Sequence, residues 1–250
     1  MTKLSLSSLS ALFRKAVRRL GHDVGVLSGV RYETSFLVEI LDRHGVTVAI
    51  DIGANVGQWG NELRLAGYTG RIVSFEPVSS AHALLTEQAR GDSKWTVLPR
   101  LAVADTEGTA QINVASNTPM SSLLPIMSHT QAAIPGSDTV GVETVRVTTL
   151  DAMLDEVVSA DDVIFVKIDV QGSERAILDG AVTSLARIAG IQLEMSFTRL
   201  YEREVNAFEL YRRLDEASFA PVLFIPGYFS SELARQLQVD GVFFKKDGLG

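Results

Sequence analysis

The part of the sequence that most restricts the fold is a short apolar run followed at once by an acid and a glycine turn. Residues 46–50 read Val-Thr-Val-Ala-Ile, and residues 51–57 read Asp-Ile-Gly-Ala-Asn-Val-Gly. The β-branched run predicts a buried strand, while Gly53 and Gly57 allow a sharp turn that a ligand can approach closely. A helix predicted over residues 56–66 would direct its free backbone N–H groups to the same place. The stretch therefore predicts one wall of a nucleotide-sized pocket.

A second apolar strand supplies another acid at the spacing typical of a nucleotide site. Residues 71–75 are followed by Glu76, which lies 25 residues after Asp51. In a doubly wound fold, an acid at this point holds the ribose hydroxyls of an adenosine. The dinucleotide fingerprint requires a glycine where this chain has Asn55, and an acid that opens the turn favours a cationic ligand. We therefore expect S-adenosylmethionine here rather than a nicotinamide dinucleotide.

Strands and helices alternate along the rest of the chain, which indicates a parallel sheet with helices on both faces. Residues 163–169 give the clearest further strand, and their apolar character predicts burial on both sides. Further strands are expected over residues 95–98, 111–114, 143–149, 190–195, 221–225 and 242–245, and helices over residues 32–44, 79–90, 150–158, 173–185 and 207–216. The expected fold class is α/β, with a doubly wound, mostly parallel seven-stranded sheet and an antiparallel edge strand. We expect residues 1–45 to form an N-terminal helical segment and residues 46–250 to form the main domain.

Composition narrows the function classes. The chain has no cysteine, which excludes disulfides, thiol nucleophiles and cysteine metal sites. The formal net charge is −7, but residues 1–22 carry five basic side chains and no acid, which leaves −12 for the remainder. An acidic body argues against a nucleic acid substrate, since phosphate binding needs clustered Lys and Arg. We therefore expect a small-molecule substrate and no nucleic acid partner.

The basic N-terminal segment also bears on location. Its apolar residues recur at helical spacing, which predicts either a helix packed on the domain or a peripheral helix lying on an anionic membrane surface. The sequence shows no signal-peptide pattern and no apolar run long enough to span a bilayer. A cytoplasmic protein is expected, with contact at the inner face of the membrane through residues 1–22 as the further alternative.

Together the motifs resemble those of the FkbM-type S-adenosylmethionine-dependent methyltransferases. The resemblance covers about residues 46–195 in the family's order. The similar segments are residues 51–57, Phe75-Glu76-Pro77, residues 102–105 with Gly108, residues 149–151, residues 167–174 with Leu178 and Gly180, and Glu194. The family pattern usually has Glu-Gly-Ala-Glu in its fourth block, whereas this chain has Gln171-Gly172-Ser173-Glu174. A role that needs a carboxylate at position 171 is therefore not carried over.

The resemblance implies a class I, Rossmann-like methyltransferase that transfers a methyl group to oxygen, often on a sugar hydroxyl or a polyketide-like natural product. The residues it assigns to the cofactor are Asp51, Gly53 and Gly57 around the methionine part, with Asn55 in the same turn, then Glu76 at the ribose, and Ala104 and Asp105 at the adenine edge. For Asp105, the alternative is a turn-forming residue before Gly108. The acceptor expected from this resemblance is a saccharide, a glycolipid or a related natural product.

Two acids at strand ends are the candidates for the chemistry, because strand carboxyl ends face the ligand crevice in such folds. A sulfonium-bound methyl group is already electrophilic, so the protein needs to position the acceptor oxygen and remove its proton. Either Asp169 or Glu194 is the general base, or the two hold a divalent cation such as Mg²⁺, with Lys167 adjusting the charge. The structural alternative is that Asp169 caps the next helix and Lys167 pairs with Glu174.

Substrate selection is expected in two segments. The polar stretch over residues 116–143, which contains Met120-Ser121-Ser122-Leu123, is long for a loop without a function. Phe197, Arg199 and Tyr201 form the other expected wall, with core packing as the alternative for Phe197. Two further functions stay open: a NAD-dependent oxidoreductase or epimerase, which the missing middle glycine disfavours, and a non-catalytic S-adenosylmethionine-binding module.

Overall fold

The computed structural model describes residues 31–231 and 233–249. The predicted helix over residues 1–22, with its proposed membrane contact, lies outside the described residues. The described helices are Tyr32–Arg43, Gln58–Ala66, Ser79–Ala89, Ser128–Ala133, Leu150–Val157, Glu174–Asp179 and Ala207–Glu216, with short 3-10 turns at Thr118–Met120, Ser184–Ala186 and Lys246–Gly248. Within this part of the chain, no helix is long and apolar enough to cross a membrane.

The strands follow in chain order. They are β1 (Val48–Ile52), β2 (Arg71–Phe75), β3 (Trp95–Val97), β4 (Ala102–Val103), β5 (Gly108–Ala115), β6 (Thr139–Thr148), β7 (Ile164–Ile168), β8 (Ile188–Ser196), β9 (Phe219–Pro226), β10 (Phe229–Ser230), β11 (Arg235–Gln236) and β12 (Gln238–Lys245). Seven of them form one sheet in the order β3-β2-β1-β7-β8-β12-β9. The pairs from β3 to β8 are parallel, and β12 runs antiparallel to both β8 and β9. The predicted fold class is confirmed, with the antiparallel pairing at the β9 end of the sheet.

The central strands are buried along their whole length because helices cover both faces of the sheet. All residues of β1 and β7 are buried. On one face, the ring of Phe165 stacks with those of Trp59 and Phe244, at centroid distances of 6.4 and 5.7 Å. The helices Tyr32–Arg43 and Gln58–Ala66 contribute apolar residues to this face, and Leu150–Val157, Glu174–Asp179 and Ala207–Glu216 contribute to the other. This two-sided burial explains the continuous apolar runs in the sequence.

A second, three-stranded sheet carries the segment that was expected to be a hairpin and a loop. Its order is β4-β6-β5, with β6 parallel to β4 and antiparallel to β5. Both β5 and β6 are longer than the predicted strands. The chain between them is tied down by two isolated bridges, Asn113 with Ser122 and Ile126 with Tyr201. This connection therefore packs over the edge of the main sheet, where the cleft described below opens.

Two predicted helix boundaries were wrong by two residues or more. The helix expected over residues 173–185 ends at Asp179, because Gly180 packs so closely that a Cβ there would lie 2.2 Å from the Ala104 carbonyl oxygen. The helix expected from residue 56 begins at Gln58, since Gly57 has a φ of +89°. Ser79, which the sequence also suggested as the N-cap of its helix, is instead the first helical residue, and its hydroxyl donates to Glu143 at 2.7 Å.

Replacing Phe165 by Ala tests the central packing. Phe165 is fully buried between two other rings, so Phe165→Ala should lower the free energy of unfolding by about 3–5 kcal/mol. Urea denaturation followed by far-UV circular dichroism would measure the change. The matched control is Val182→Ala, whose parent side chain is exposed and should change the free energy by less than about 0.5 kcal/mol. Equal effects of the two substitutions would contradict this packing.

Candidate active site

A cleft opens above the carboxyl ends of β1, β2 and β7, where the strand order reverses. It encloses about 1010 Å³, including its open mouth. The residues that line it from the β2 side are Phe75, Glu76, Pro77, Val78, Leu101, Ala102 and Val103, and those nearer β8 and β12 are Arg31, Trp59, Glu62, Gln192 and Asp240. Between these groups lie Gly53, Asn55, Lys167, Asp169 and Gln171. A crevice at such a switch point is where doubly wound folds bind ligands.

The glycine turn is shaped by packing against the protein itself. Gly53 has a φ of +82°, and a Cβ there would lie 1.9 Å from the backbone oxygen of Asp169. At Gly57, a Cβ would lie 2.9 Å from Leu85 Cδ1, and Gly57 is not among the cleft-lining residues. Close ligand approach was the expected reason for these two glycines, but the atoms that leave no room for a Cβ at either position belong to the protein itself. Gly53 and Asn55 do line the cleft.

Glu76 follows β2 and is 4% exposed. Its two carboxylate oxygens accept the backbone N–H groups of Asn55 and Val78, each at 2.7 Å. Burial raises the pKa of Glu76 to about 7, despite these two hydrogen bonds. Each oxygen keeps a further lone pair, so Glu76 can accept hydrogen bonds from a ribose diol in the cleft. The residues present at this end fit an adenosine.

Ala104 and Asp105 lie outside the cleft lining. Ala104 is buried, and its N–H donates to the carbonyl of Thr148 at 2.9 Å. Asp105 is exposed in the turn that leads to β5. The cleft is lined instead by the three preceding residues, Leu101 to Val103. The position of Asp105 agrees with the alternative of a turn-forming residue, and it does not support an adenine-edge role.

A buried ammonium group lies below the middle of the cleft. Lys167 Nζ is 3.3 Å from Asp51 Oδ1 and 3.2 Å from Asp169 Oδ2. Burial works against the charged form of Lys167, but Asp169 and Asp51 outweigh it and raise the pKa of Lys167. Asp51 is fully buried, and that burial raises its pKa while Lys167 lowers it. Asp51 therefore acts on the cleft through Lys167, since it is not among the lining residues.

The alternative in which Lys167 pairs with Glu174 is wrong. Glu174 is buried, and one of its carboxylate oxygens accepts the backbone N–H groups of Val170 and Gly172 at 3.1 and 3.2 Å. The carboxylate of Glu174, and not that of Asp169, therefore stabilises the turn before the helix Glu174–Asp179. Burial raises the pKa of Glu174 to about 8.

The side chain of Gln171 joins the two candidate catalytic acids. Its Nε2 atom donates to Asp169 Oδ1 and to Glu194 Oε2, both at 2.8 Å. Its Oε1 atom accepts from the hydroxyl of Tyr201 at 2.9 Å. The amide is thus fixed in one orientation, and Asp169 and Glu194 come together as the sequence suggested. Asp169 lines the cleft, whereas Glu194 lies behind Gln171 and does not.

The expected divalent cation finds no support in this arrangement. Amide hydrogens of Gln171 point at both carboxylates, where a cation would need oxygen lone pairs. Among the described residues, no group of three or more His, Asp or Glu side chains is placed to hold a metal ion. Burial, followed by the charges of Asp169 and Asp240, raises the pKa of Glu194 well above its ordinary value.

The sequence matches the model of the FkbM methyltransferase domain over residues 51–221. The chain belongs to the FkbM methyltransferase domain family. The matched range contains every catalytic and cofactor-binding candidate that the sequence motifs identified, and the resemblance noted from those motifs is confirmed. Arg31 and Asp240, which also line the cleft of this FkbM-domain protein, lie outside it.

Solved structures similar to this FkbM-domain protein include two methyltransferases. One is magnesium protoporphyrin IX methyltransferase from Synechocystis PCC 6803 with bound SAM, at 11% identity and a TM-score of 0.45, covering 98% of this chain and 100% of that one. The other is 1,6-didemethyltoxoflavin-N1-methyltransferase from Burkholderia thailandensis, at 13% identity and a TM-score of 0.45, covering 98% and 92%. No curated protein gives a significant match to the sequence.

The structure also places the expected substrate-binding segments of the FkbM-domain protein. Ser121, Ser122 and Leu123 line the cleft, as do Thr118 and Pro119. Tyr201 is buried and contacts the site through Gln171. Phe197 is not part of the cleft: it lines a separate apolar groove, with its ring 6.2 Å from that of Phe208. Neither the expected substrate wall nor core packing describes Phe197, which is exposed.

The cleft residues of the FkbM-domain protein that the sequence did not reveal include Trp59, Gln192 and Asp240. Gln192 had a detectable signal, because it lies two positions before Glu194 in a strand and therefore points to the same face. Trp59 was hidden in an ordinary helical pattern. Asp240 precedes the strand predicted over residues 242–245, which in fact begins at Gln238.

The raised pKa of Glu174 predicts a pH-dependent loss of stability. Between the ordinary carboxyl pKa and about 8, the folded state binds more protons than the unfolded state, so the free energy of unfolding should fall as pH rises, by at most about 1.4 kcal/mol per pH unit for this one group. Glu174→Gln keeps an oxygen for both backbone N–H groups and removes this titration. The wild-type protein should therefore lose stability relative to Glu174→Gln from pH 5 to pH 8.

Urea denaturation at pH 5, 6, 7 and 8 would measure this difference. The control is Glu216→Gln, because Glu216 is exposed at the end of its helix. A constant difference between wild type and Glu174→Gln across these pH values would show that Glu174 is not a buried acid with a raised pKa.

Proposed function

We propose that this FkbM-domain protein transfers a methyl group from S-adenosylmethionine to a hydroxyl oxygen of a saccharide, a glycolipid or a related natural product. The observation that carries the proposal is the position of Asp169. Its carboxylate lines the same cleft as the Gly53 turn and Glu76, and Lys167 and Gln171 hold it in place. Membership of the FkbM family supports methyl transfer as the reaction.

The cofactor is assigned to the β2 and β1 side of the cleft. Glu76 offers two oxygens to the ribose diol, and Phe75, Leu101 and Val103 supply apolar surface for the adenine ring. The turn over residues 53–55 then faces the methionine part. Bound S-adenosylmethionine supplies a methyl group on a positively charged sulfur, and the acidic side chains of this cleft suit such a cation.

Asp169 is assigned the role of general base. Oδ2 is 3.2 Å from the Lys167 ammonium group and Oδ1 is 2.8 Å from the Gln171 amide nitrogen, so both oxygens are oriented and each retains a lone pair. Asp169 accepts the proton of the acceptor hydroxyl as the oxygen–carbon bond forms. A well-placed base contributes about 10²–10⁴-fold to the rate, and alignment of the reactants contributes the larger part.

Glu194 is a positioning residue in this proposal. It touches the amide of Gln171 at 2.8 Å and lies behind it as seen from the cleft. Together with Tyr201, it fixes the orientation in which Gln171 presents an N–H group to Asp169. The neutral amide of Gln171 holds the two acids together through its hydrogen bonds. No divalent cation is required to bring them together.

Binding of S-adenosylhomocysteine tests the cofactor. Isothermal titration should show that the wild-type protein binds S-adenosylhomocysteine and not NAD. Glu76→Ala should weaken this binding by more than about tenfold, because two charge-assisted hydrogen bonds to the ribose are lost. The control is Glu107→Ala, since Glu107 is an exposed turn residue outside the cleft. Binding of NAD alone would overturn the proposal in favour of an oxidoreductase or epimerase.

Turnover of Asp169→Asn tests the base. With an acceptor in hand, its kcat should fall about 10²–10⁴-fold, while the dissociation constant of S-adenosylhomocysteine stays close to that of the wild type. Glu194→Gln should lose less, because it acts through Gln171. The control is Asp161→Asn, at an exposed position. A larger loss in Glu194→Gln than in Asp169→Asn would make Glu194 the base, and cofactor binding without turnover of any acceptor would favour a binding module.

A further inference from the structure

The cleft contains buried polar atoms that have no partner in the described part of the chain. They are Trp59 Nε1 and Gln192 Oε1, and both residues line the cleft. Trp59 is 8% exposed and Gln192 is 2% exposed. A buried donor or acceptor without a partner destabilises a protein. A ligand that supplies both partners would therefore be bound with a favourable contribution from each atom.

The two atoms differ in what they require. The indole nitrogen of Trp59 can only donate a hydrogen bond, and a side-chain carbonyl oxygen can only accept one. The amide nitrogen of Gln192 is engaged by the carboxylate of Asp240. Because a carboxylate accepts hydrogen bonds, this contact fixes which end of the amide faces Asp240 and leaves the carbonyl oxygen of Gln192 for a ligand.

The strand order places Gln192 beyond the cofactor, and Trp59 reaches the same part of the cleft, since Lys167 Nζ lies 5.8 Å from the centre of its ring. Glu76 follows β2, the glycine turn follows β1, and Asp169 follows β7. Gln192 lies on β8, next to Lys167 in the parallel register, and Asp240 lies on β12. Since neighbouring strands are about 4.8 Å apart, Gln192 is roughly 14 Å from the ribose end. It is therefore on the acceptor side of Asp169.

The chemistry of this end favours a neutral polyol. A hydroxyl group both donates and accepts, so two neighbouring hydroxyls can satisfy Trp59 and Gln192 together. The charges at this end oppose one another, because Arg31 and Lys167 line the cleft together with Asp240 and Asp169, and a purely cationic ligand would leave the Trp59 N–H group without an acceptor.

We propose that Trp59 Nε1 and Gln192 Oε1 bind two neighbouring hydroxyls of the acceptor, and that Asp240 holds the Gln192 amide in the orientation this requires. The subsite rests on the methyl transfer proposed above and names the part of the acceptor that the protein recognises. Asp240 lies outside the range that matches the FkbM domain, so this subsite uses a part of the chain beyond the shared motifs. Trp59 and Gln192 are binding residues here, and Asp240 is a positioning residue.

The test uses simple sugars as probes. Purified full-length protein saturated with S-adenosylhomocysteine would be titrated with the methyl glycosides of glucose, galactose, mannose and rhamnose, followed by saturation-transfer NMR. At least one glycoside should bind the wild-type protein. Trp59→Phe, which removes only the N–H donor from an aromatic side chain, and Gln192→Met, which removes the carbonyl at similar length, should each weaken this binding about tenfold. Both variants should bind S-adenosylhomocysteine within about twofold of the wild type.

A matched control and a sugar series make the result specific. Trp95→Phe also removes an indole N–H group, but that group donates to Ser74 at 3.0 Å and Trp95 is outside the cleft, so glycoside binding should not change. Singly deoxygenated glycosides should show that one hydroxyl matters to the wild type and no longer matters to Trp59→Phe. The same is expected of a neighbouring hydroxyl in Gln192→Met.

Three results would overturn the subsite, and they differ from a failure of the proposed function. If the wild type binds S-adenosylhomocysteine but no glycoside, the subsite does not bind a polyol. If Trp59→Phe and Gln192→Met weaken S-adenosylhomocysteine instead of the glycoside, these atoms belong to the cofactor site. If both variants bind the glycoside like the wild type, the two atoms are not used. Failure of the wild type to bind S-adenosylhomocysteine would instead refute the proposed function.

Discussion

The cleft depends on one buried cation. Lys167 lies in the central strand β7 with its ammonium group between the carboxylates of Asp51 and Asp169. A single buried charge is strongly unfavourable, and removing one partner of a buried pair typically costs about 3–5 kcal/mol. The three side chains therefore require one another. Asp51 is fully buried and holds the ammonium group of Lys167 on the side away from the cleft. Lys167 in turn holds the carboxylate of Asp169 at the floor of the cleft.

A second hydrogen-bond network, centred on the neutral amide of Gln171, adjoins the charged group of Asp51, Lys167 and Asp169. The amide oxygen of Gln171 accepts a hydrogen bond from Tyr201, and its amide nitrogen donates hydrogen bonds to Asp169 and Glu194. The contact with Tyr201 therefore fixes how the amide meets the two acids. Its backbone has a φ of +57°, which is uncommon for a residue with a side chain and is stabilised here by hydrogen bonds on both sides of the turn. Since the hydroxyl of Ser122 donates to the Gln171 carbonyl, the loop over the cleft and the acid pair are joined directly. Ser122 in the loop is thus linked to Asp169 through a single residue, Gln171.

In the described part of the chain, the two sides of the cleft differ in polarity. On the β2 side, the lining is mostly apolar and belongs to residues inside the matched FkbM range. On the β8 and β12 side, it is polar and includes Arg31 and Asp240, which lie outside that range. In the proposed function, the methyl donor binds on the β2 side and the acceptor on the β8 and β12 side.

The sequence by itself determined the sheet, its mostly parallel order and the acids at the strand ends, because burial on both faces imposes long apolar runs and strand ends are marked by turns. It also identified Asp169, Glu194 and Lys167 as neighbours. Only the tertiary structure decided that Gln171 lies between the acids, that Lys167 pairs with Asp51 and not Glu174, and that Ala104 and Asp105 lie outside the cleft. These outcomes depend on side-chain direction and on contacts between residues far apart in the chain, such as Lys167 with Asp51 and Gln192 with Asp240. Hydrophobic periodicity in the sequence predicts which face of a strand or helix a residue occupies. It does not predict which other side chain that residue contacts there.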